Sequence, residues 1–141
     1  MSEDKFFLDT NIFVYSFDPH EPRKAQIAEG LVTRSLTTGF GVISYQVVQE
    51  FVNVALRKFA DAFAPAEMER YFFRVLSPLM TISSSAPLFL QALHLQAVSK
   101  LFWYDALIVA AALQGECKVL YSEDFQHGQR FGDLLVQNPF L

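Results

Sequence analysis

Four carboxylates stand at the edges of apolar segments in this chain of 141 residues. Asp9 closes the run Lys5-Phe6-Phe7-Leu8, and Glu50 sits within Val47-Val48-Gln49-Glu50-Phe51-Val52. Asp105 opens the apolar stretch Ala106 to Leu113, and Asp124 follows Lys118-Val119-Leu120-Tyr121-Ser122-Glu123. A carboxylate is costly to bury unless it is paired or bound to a cation. Acids beside core-forming segments therefore point to one shared, acidic, metal-binding pocket. Mg²⁺ and Mn²⁺ prefer hard oxygen ligands. Such a cluster can hold one ion, or two ions about 4 Å apart, and in either form it can activate water and stabilise charge developing at phosphorus.

Each acid also has an ordinary structural role open to it. Asp9 can cap the short helix expected from Asn11, since aspartate is a favoured cap residue. Glu50 can be a solvated helical acid. Asp105 can complement a helix dipole from the first turn, and Asp124 can serve a turn. Asp18, Glu21, Glu29, Asp61, Glu67, Glu69, Glu116 and Asp133 fall in polar or terminal segments and read as solvated charges.

The elements that must position the four acids alternate between strand and helix. Lys5 to Leu8 reads as a buried strand and Asn11 to Phe17 as a short helix stopped by Asp18-Pro19. Pro22 suits the first helical position of a segment reaching about Ser35, with Ala25, Ala28, Leu31 and Val32 at helical spacing. Gly39 and Gly41 punctuate a turn into the strand Val42-Ile43-Ser44. Gln46 to Phe59 reads as a helix whose buried stripe is Val47, Phe51, Val54 and Ala55, with Glu50 at its edge. A helix from Pro65 to about Leu76 is expected to end at Ser77-Pro78, ahead of a strand over 79–83. Pro87 to Ser99 is the next helix. Asp105 lies in the first turn of the one after it, which stops at Gly115. Lys118 to Tyr121 and Leu134 to Gln137 complete the strands. The alternation predicts an α/β fold with three α/β/α layers and a mainly parallel sheet of four to five strands, formed by residues 1–141 as one domain. Ligands of open parallel sheets bind beyond the carboxyl ends of the strands. Asp9 and Asp124 fall just past two such ends, and Glu50, one turn into a helix, and Asp105, at a helix start, are compatible with the same edge.

The segments Phe7-Leu8-Asp9-Thr10-Asn11-Ile12, Gln49-Glu50-Phe51, Trp103-Tyr104-Asp105-Ala106-Leu107-Ile108 and Leu120-Tyr121-Ser122-Glu123-Asp124-Phe125 resemble, in order, the four signatures of PIN-domain nucleases. More narrowly, the chain is similar to the VapC toxins of type II toxin–antitoxin modules. The resemblance implies Asp9, Glu50, Asp105 and Asp124 as catalytic metal ligands. Thr10, Asn11 and the hydroxyl of Ser122 would support them. It implies a Mg²⁺- or Mn²⁺-dependent endoribonuclease, a homodimer and a cognate antitoxin. Glu123 adjoins Asp124, so either carboxylate could approach the metal; the motif favours Asp124. Arg57, Lys58, Lys100 and His127 are candidates for RNA contact, and Arg23-Lys24 resembles the first pair. Trp103 and Tyr104 could stack bases, although core packing competes for them.

Other classes fit less well. Phosphatases with an aspartyl nucleophile resemble Asp-x-Asp after strand one, and the second position here is Asn11. A phospho-receiver resembles an adjacent acidic pair near strand one and a late lysine, and Asp9 stands alone. A catalytically silent scaffold and a housekeeping RNA-processing nuclease remain as alternatives to the toxin.

The apolar fraction of 52%, with 15 Phe, supports a sizeable core without disulfides, and the low charged fraction hints at an apolar surface covered by a partner or a second copy. The single cysteine, Cys117, excludes an intramolecular disulfide and a multi-cysteine zinc site, and fits a reducing cytoplasm. The N-terminus lacks the pattern of a secretory signal, and no apolar run approaches the roughly 20 residues of a membrane span. The net charge of −4 disfavours non-specific nucleic-acid binding through a basic surface. A bound divalent cation would invert that sign locally.

Overall fold

The structure, a computed structural model, describes residues 4–141. Met1 to Glu3, where the segment read for a secretory signal begins, lie outside the described residues. The elements are β1 (Phe6–Leu8), α1 (Thr10–Tyr15), α2 (Pro22–Thr38), β2 (Gly41–Ser44), α3 (Tyr45–Lys58), α4 (Pro65–Tyr71), α5 (Ser77–Leu79), β3 (Met80–Ile82), α6 (Ala86–Ser99), α7 (Trp103–Gln114), β4 (Val119–Tyr121), β5 (Arg130–Phe131) and β6 (Leu134–Gln137).

The strands form one six-stranded sheet in the order β3-β2-β1-β4-β6-β5. Every pairing is parallel except that of β5 with β6. Helices flank this mostly parallel sheet, as the alternation predicts. β1, wholly buried as Phe6, Phe7 and Leu8, lies between β2 and β4. Parallel strands covered on both faces read as continuous apolar runs, which is why this segment shows no alternation. The strand count exceeds the expected four to five because of β5, only two residues long. It folds back on β6 through Gly132-Asp133, with Gly132 at a positive φ that suits a tight hairpin.

One boundary differs from expectation. The helix from Pro65 does not stop at Ser77-Pro78. It passes through a π turn, Phe72–Leu76, and one further α turn to Leu79. A proline ring inside an α-helix clashes with the carbonyl four residues back. The wider π turn, closed by the Ser77 amide donating to the Phe72 carbonyl, precedes Pro78 and gives that ring room.

Aromatic side chains fill the space under α1, α3 and α4. Phe17 packs edge-on against Phe63 and Tyr71 at 4.8 and 5.1 Å between ring centres, and Phe51 contacts the same two rings. α7 is buried from Ala106 to Ala112, so its first turn fixes Asp105 at the edge of the core. Among the described residues no single helix is long and apolar enough to cross a membrane.

Gly41 permits a close approach of α2 to β2. A Cβ built there would lie 2.2 Å from the Cβ and 2.8 Å from the Cα of Ser35, a fully buried residue on α2. Gly41→Ala must therefore push α2 off β2. A loss of about 2–3 kcal/mol is expected, as for other overpacked sites, with a fall in melting temperature of at least roughly 4 °C. An unchanged melting curve would show that α2 shifts freely.

Candidate active site

Asp9, Glu50, Asp105 and Asp124 line one cavity of about 600 Å³, together with Thr10, Asn11, Gln46 and Lys58. It lies beyond the carboxyl ends of β1 and β4, where neighbouring strands feed helices and loops that diverge. Asp9 follows β1 directly and caps α1; its Oδ1 accepts from the Thr10 amide at 2.7 Å. Its Oδ2 accepts from the Ser122 hydroxyl at 2.7 Å, and its own amide donates to the Tyr121 carbonyl on β4 at 3.0 Å. The cap reading and the pocket reading of Asp9 are therefore both true of one side chain.

Ser122 is fully buried and joins three elements. Its Oγ donates to Asp9 and accepts from the Asp124 amide at 3.0 Å and from Asn11 Nδ2 at 3.4 Å. Asn11 Nδ2 also donates to Asp124 Oδ2 at 3.1 Å. Glu50, half-buried on α3, accepts from the Thr10 hydroxyl at 2.6 Å and from Gln46 Nε2 at 3.5 Å. Asp105 is half-buried in the first turn of α7.

None of the four acids is paired with a protein cation among the described residues, where the ion pairs are Lys24–Glu123 and Arg70–Glu67. Burial pushes the Asp9 carboxyl up from 3.8 to about 7, against the Ser122 and Thr10 hydrogen bonds, with Asp124 and Glu50 adding repulsion. Desolvation raises Asp105 as well, reinforced by the charges of Asp124 and Glu50.

Glu123 points to a different set of partners. Its Oε1 accepts from the Tyr15 hydroxyl at 2.6 Å and its Oε2 from Lys24 Nζ at 2.8 Å. Burial opposes its ionisation, but these two donors outweigh it and hold its pKa below the ordinary value. Lys24 also lies 4.6 Å from the centre of the Tyr15 ring. Glu123 and Asp124 both line the cavity, but both Glu123 oxygens are engaged by Tyr15 and Lys24, whereas the Asp124 carboxylate is held by the Asn11 amide alone. Nothing in the sequence joined Tyr15 and Lys24 to Glu123; helical spacing from Tyr15 to Lys24 is broken by Pro19 and Pro22, so only the fold reveals the trio.

The remaining candidates separate. Lys58, in the last turn of α3, lines the cavity, while its neighbour Arg57 does not. Lys100 is exposed in a left-handed position capping α6, away from the cavity. His127 accepts from the Asn138 amide through Nδ1 at 3.0 Å, tying down the loop before β5, and does not line the cavity. Asp18, read as a solvated charge, does line it.

The donor set suits a hydrated ion better than a closed cage. Among the described residues no three His, Cys, Asp or Glu side chains converge tightly enough to enclose a metal. Asn11 Oδ1 is buried without a hydrogen-bond partner, beside Asp124 and Ser122. An ion of the Mg²⁺ type takes one or two carboxylates directly and keeps several waters. Such waters can bridge to the other acids and to that orphaned oxygen. The residues present fit the group.

A family model for the PIN domain matches residues 6–130. The chain belongs to the PIN-domain family. Solved structures share the architecture: a toxin–antitoxin complex from Klebsiella pneumoniae (TM-score 0.66, 19% identity, covering 96% of this chain and 98% of that one) and FitAcB from Neisseria gonorrhoeae (0.65, 18%, 96% and 98%). VapBC2 from Rickettsia felis, bound to a DNA fragment from its promoter, is similar at TM-score 0.60 and 20% identity over 94% of this chain and 96% of that one. At these identities the likeness is one of fold. No curated protein matches. PIN domains are typically nucleases that use divalent metal ions, which agrees with an acidic cavity at the sheet edge.

The pKa of Asp9 sets a pH dependence. Its folded value, about 7, lies above its unfolded value of 3.8, so the folded state binds more protons between the two. The stabilisation linked to that proton is full below the unfolded value and is lost as pH rises through about 7. In chelator, the melting temperature should fall by roughly 5 °C between pH 5 and pH 8, and Asp9→Asn should flatten that slope. A slope identical in the variant would assign the titration to another group.

Proposed function

We propose that this PIN domain is a Mg²⁺- or Mn²⁺-dependent endoribonuclease, the toxin of a toxin–antitoxin pair, acting in the cytoplasm as one domain over residues 1–141. The observation that carries the reading is the meeting of Asp9, Glu50, Asp105 and Asp124 in one cavity, none of them in an ion pair with a lysine or arginine among the described residues. Asp9, Asp105 and Asp124 are assigned to hold one or two ions, with Glu50 completing the set. A divalent ion in this cavity supplies Lewis acidity toward a phosphodiester and makes water a better nucleophile.

The chain's own residues then orient the parts. Ser122 and the Thr10 amide fix both oxygens of Asp9, and Asn11 steers Asp124. Thr10 and Gln46 hold Glu50, leaving its carboxylate on the cavity wall. Lys58 is the lysine or arginine in the cavity lining and is assigned to the phosphate backbone of the RNA.

The antitoxin partner is supported by the toxin–antitoxin complexes that share the fold. An apolar groove of about 830 Å³ between α3 and α4, lined by Val52, Leu56, Met68 and Phe73, is the surface we assign to it. A homodimer is supported by the apolar side chains that α6 presents to solvent, Leu90, Leu93 and Val98 among them. That all four acids share the cavity weighs against a silent scaffold.

Incubation of cellular RNA with the purified protein in Mn²⁺, Mg²⁺ or EDTA tests the reading. Discrete fragments should appear only with metal and should vanish in Asp105→Asn, with an unchanged melting curve. Intact RNA in every lane, from folded protein free of inhibitor, would reject it. Lys58→Glu should weaken binding of RNA and lower the slope of log K against log salt by about 1. An unaltered slope would place the phosphate elsewhere.

A further inference from the structure

A second, smaller cavity adjoins the acidic one. Its volume is about 350 Å³, within the range of roughly 300–1,000 Å³ typical of small-molecule sites. Phe89 from the start of α6 and Trp103 from the start of α7 form one wall, with ring centres 6.4 Å apart and planes inclined at 51°. Gln46, Gln49 and Ser84 bring amides and a hydroxyl to the same space. Gln46 and Tyr104 line both cavities, and Gln46 Nε2 donates to the Tyr104 carbonyl at 3.2 Å, so the pair forms a partition between them. Gln46 also reaches Glu50, so the partition touches the acidic site itself.

We infer that this cavity receives a nucleobase of the RNA strand whose phosphate lies in the acidic cavity. The inference rests on the nuclease reading and adds to it the means by which a sequence is chosen. The chemistry favours a base over an apolar partner. Aromatic faces stack any base, and amide and hydroxyl groups distinguish the base edges of single-stranded RNA. Continuity with the acidic cavity supplies the register: a base held against Phe89 and Trp103 sets which phosphate lies across Tyr104. The exposed ring of Tyr104, 65% accessible, stands at the crossing point and can stack the neighbouring base.

Trp103 is the chain's only tryptophan, so its indole N–H gives one resonance in ¹⁵N-labelled protein. Adenosine, cytidine, uridine and inosine are each titrated into the full chain in EDTA, with ribose as the control. At least one nucleoside should shift that resonance saturably, and ribose should not. Phe89→Ser, at a position 43% exposed, should weaken that nucleoside at least about five-fold without altering the melting curve. With Mn²⁺, an abasic residue beside the cut site of a cleaved oligonucleotide should lower kcat/KM at least about five-fold in the parent and leave Phe89→Ser unaffected.

No shift with any nucleoside, or an equal shift with ribose, overturns the inference. So does a resonance that moves on dilution alone, which would mean that a second copy covers the wall. RNA cleavage indifferent to the flanking base would remove the pocket and leave the nuclease standing. Saturable nucleoside binding in a protein that cuts no RNA would do the reverse.

Discussion

The arrangement of the cavity depends on a buried carboxylate whose two oxygens are both spoken for. Asp9 is 3% exposed, and its hydrogen bonds run to the Thr10 amide at the start of α1 and to the Ser122 hydroxyl at the end of β4. The second of those bonds crosses the seam between the first strand and a strand more than a hundred residues later. The two bonds do not neutralise the charge, and the carboxyl is driven up to about 7. A buried acid left in that condition lowers the stability of the apo fold at neutral pH. The same acid is well suited to a cation, which would reverse that cost.

Around this point the other side chains are placed by bonds that each serve two purposes. Thr10 fixes Asp9 with its amide and Glu50 with its hydroxyl, so α1 sets the separation of two acids. Ser122 fixes Asp9 and, through the Asp124 amide, the loop that presents the next acid. Glu123, on the same cavity wall, is engaged instead by Lys24 and Tyr15. The neighbouring carboxylates thus serve different ends, although they are the same chemistry one residue apart. Low dielectric makes each of these bonds strong when satisfied and costly when broken.

Much of this was legible in the sequence. Strands β1, β2 and β4 are short apolar runs, and Asp9 and Asp124 lie just past the ends of β1 and β4. Helix α3 showed its buried stripe and put Glu50 at the edge of it, where it stands. The hairpin of β5 escaped because two residues carry no periodicity, although Gly132-Asp133 is a turn pair that could have raised it. The continuation past Pro78 escaped because a π turn has no sequence signature comparable to a proline. The Lys24–Tyr15–Glu123 trio and the partition made by Gln46 and Tyr104 are contacts between distant elements. Local pattern does not encode those. Lys58 and Arg57 looked alike as neighbours, and only the direction of the last turn of α3 separated them.

The strand order has a consequence in time. β1 leaves the ribosome before the other strands, but its neighbour β4 and the hydroxyl that holds Asp9 come after α7, more than a hundred residues later. A nascent chain that has emerged only through α7 holds Asp9, Glu50 and Asp105, yet lacks the strand, the serine and Asp124 that close the cavity. Pairings so distant in sequence are slow to form, because the intervening loop must close first. The acidic cavity is therefore absent from a chain that has emerged only through α7, and the interval between synthesis and assembly belongs to the fold itself.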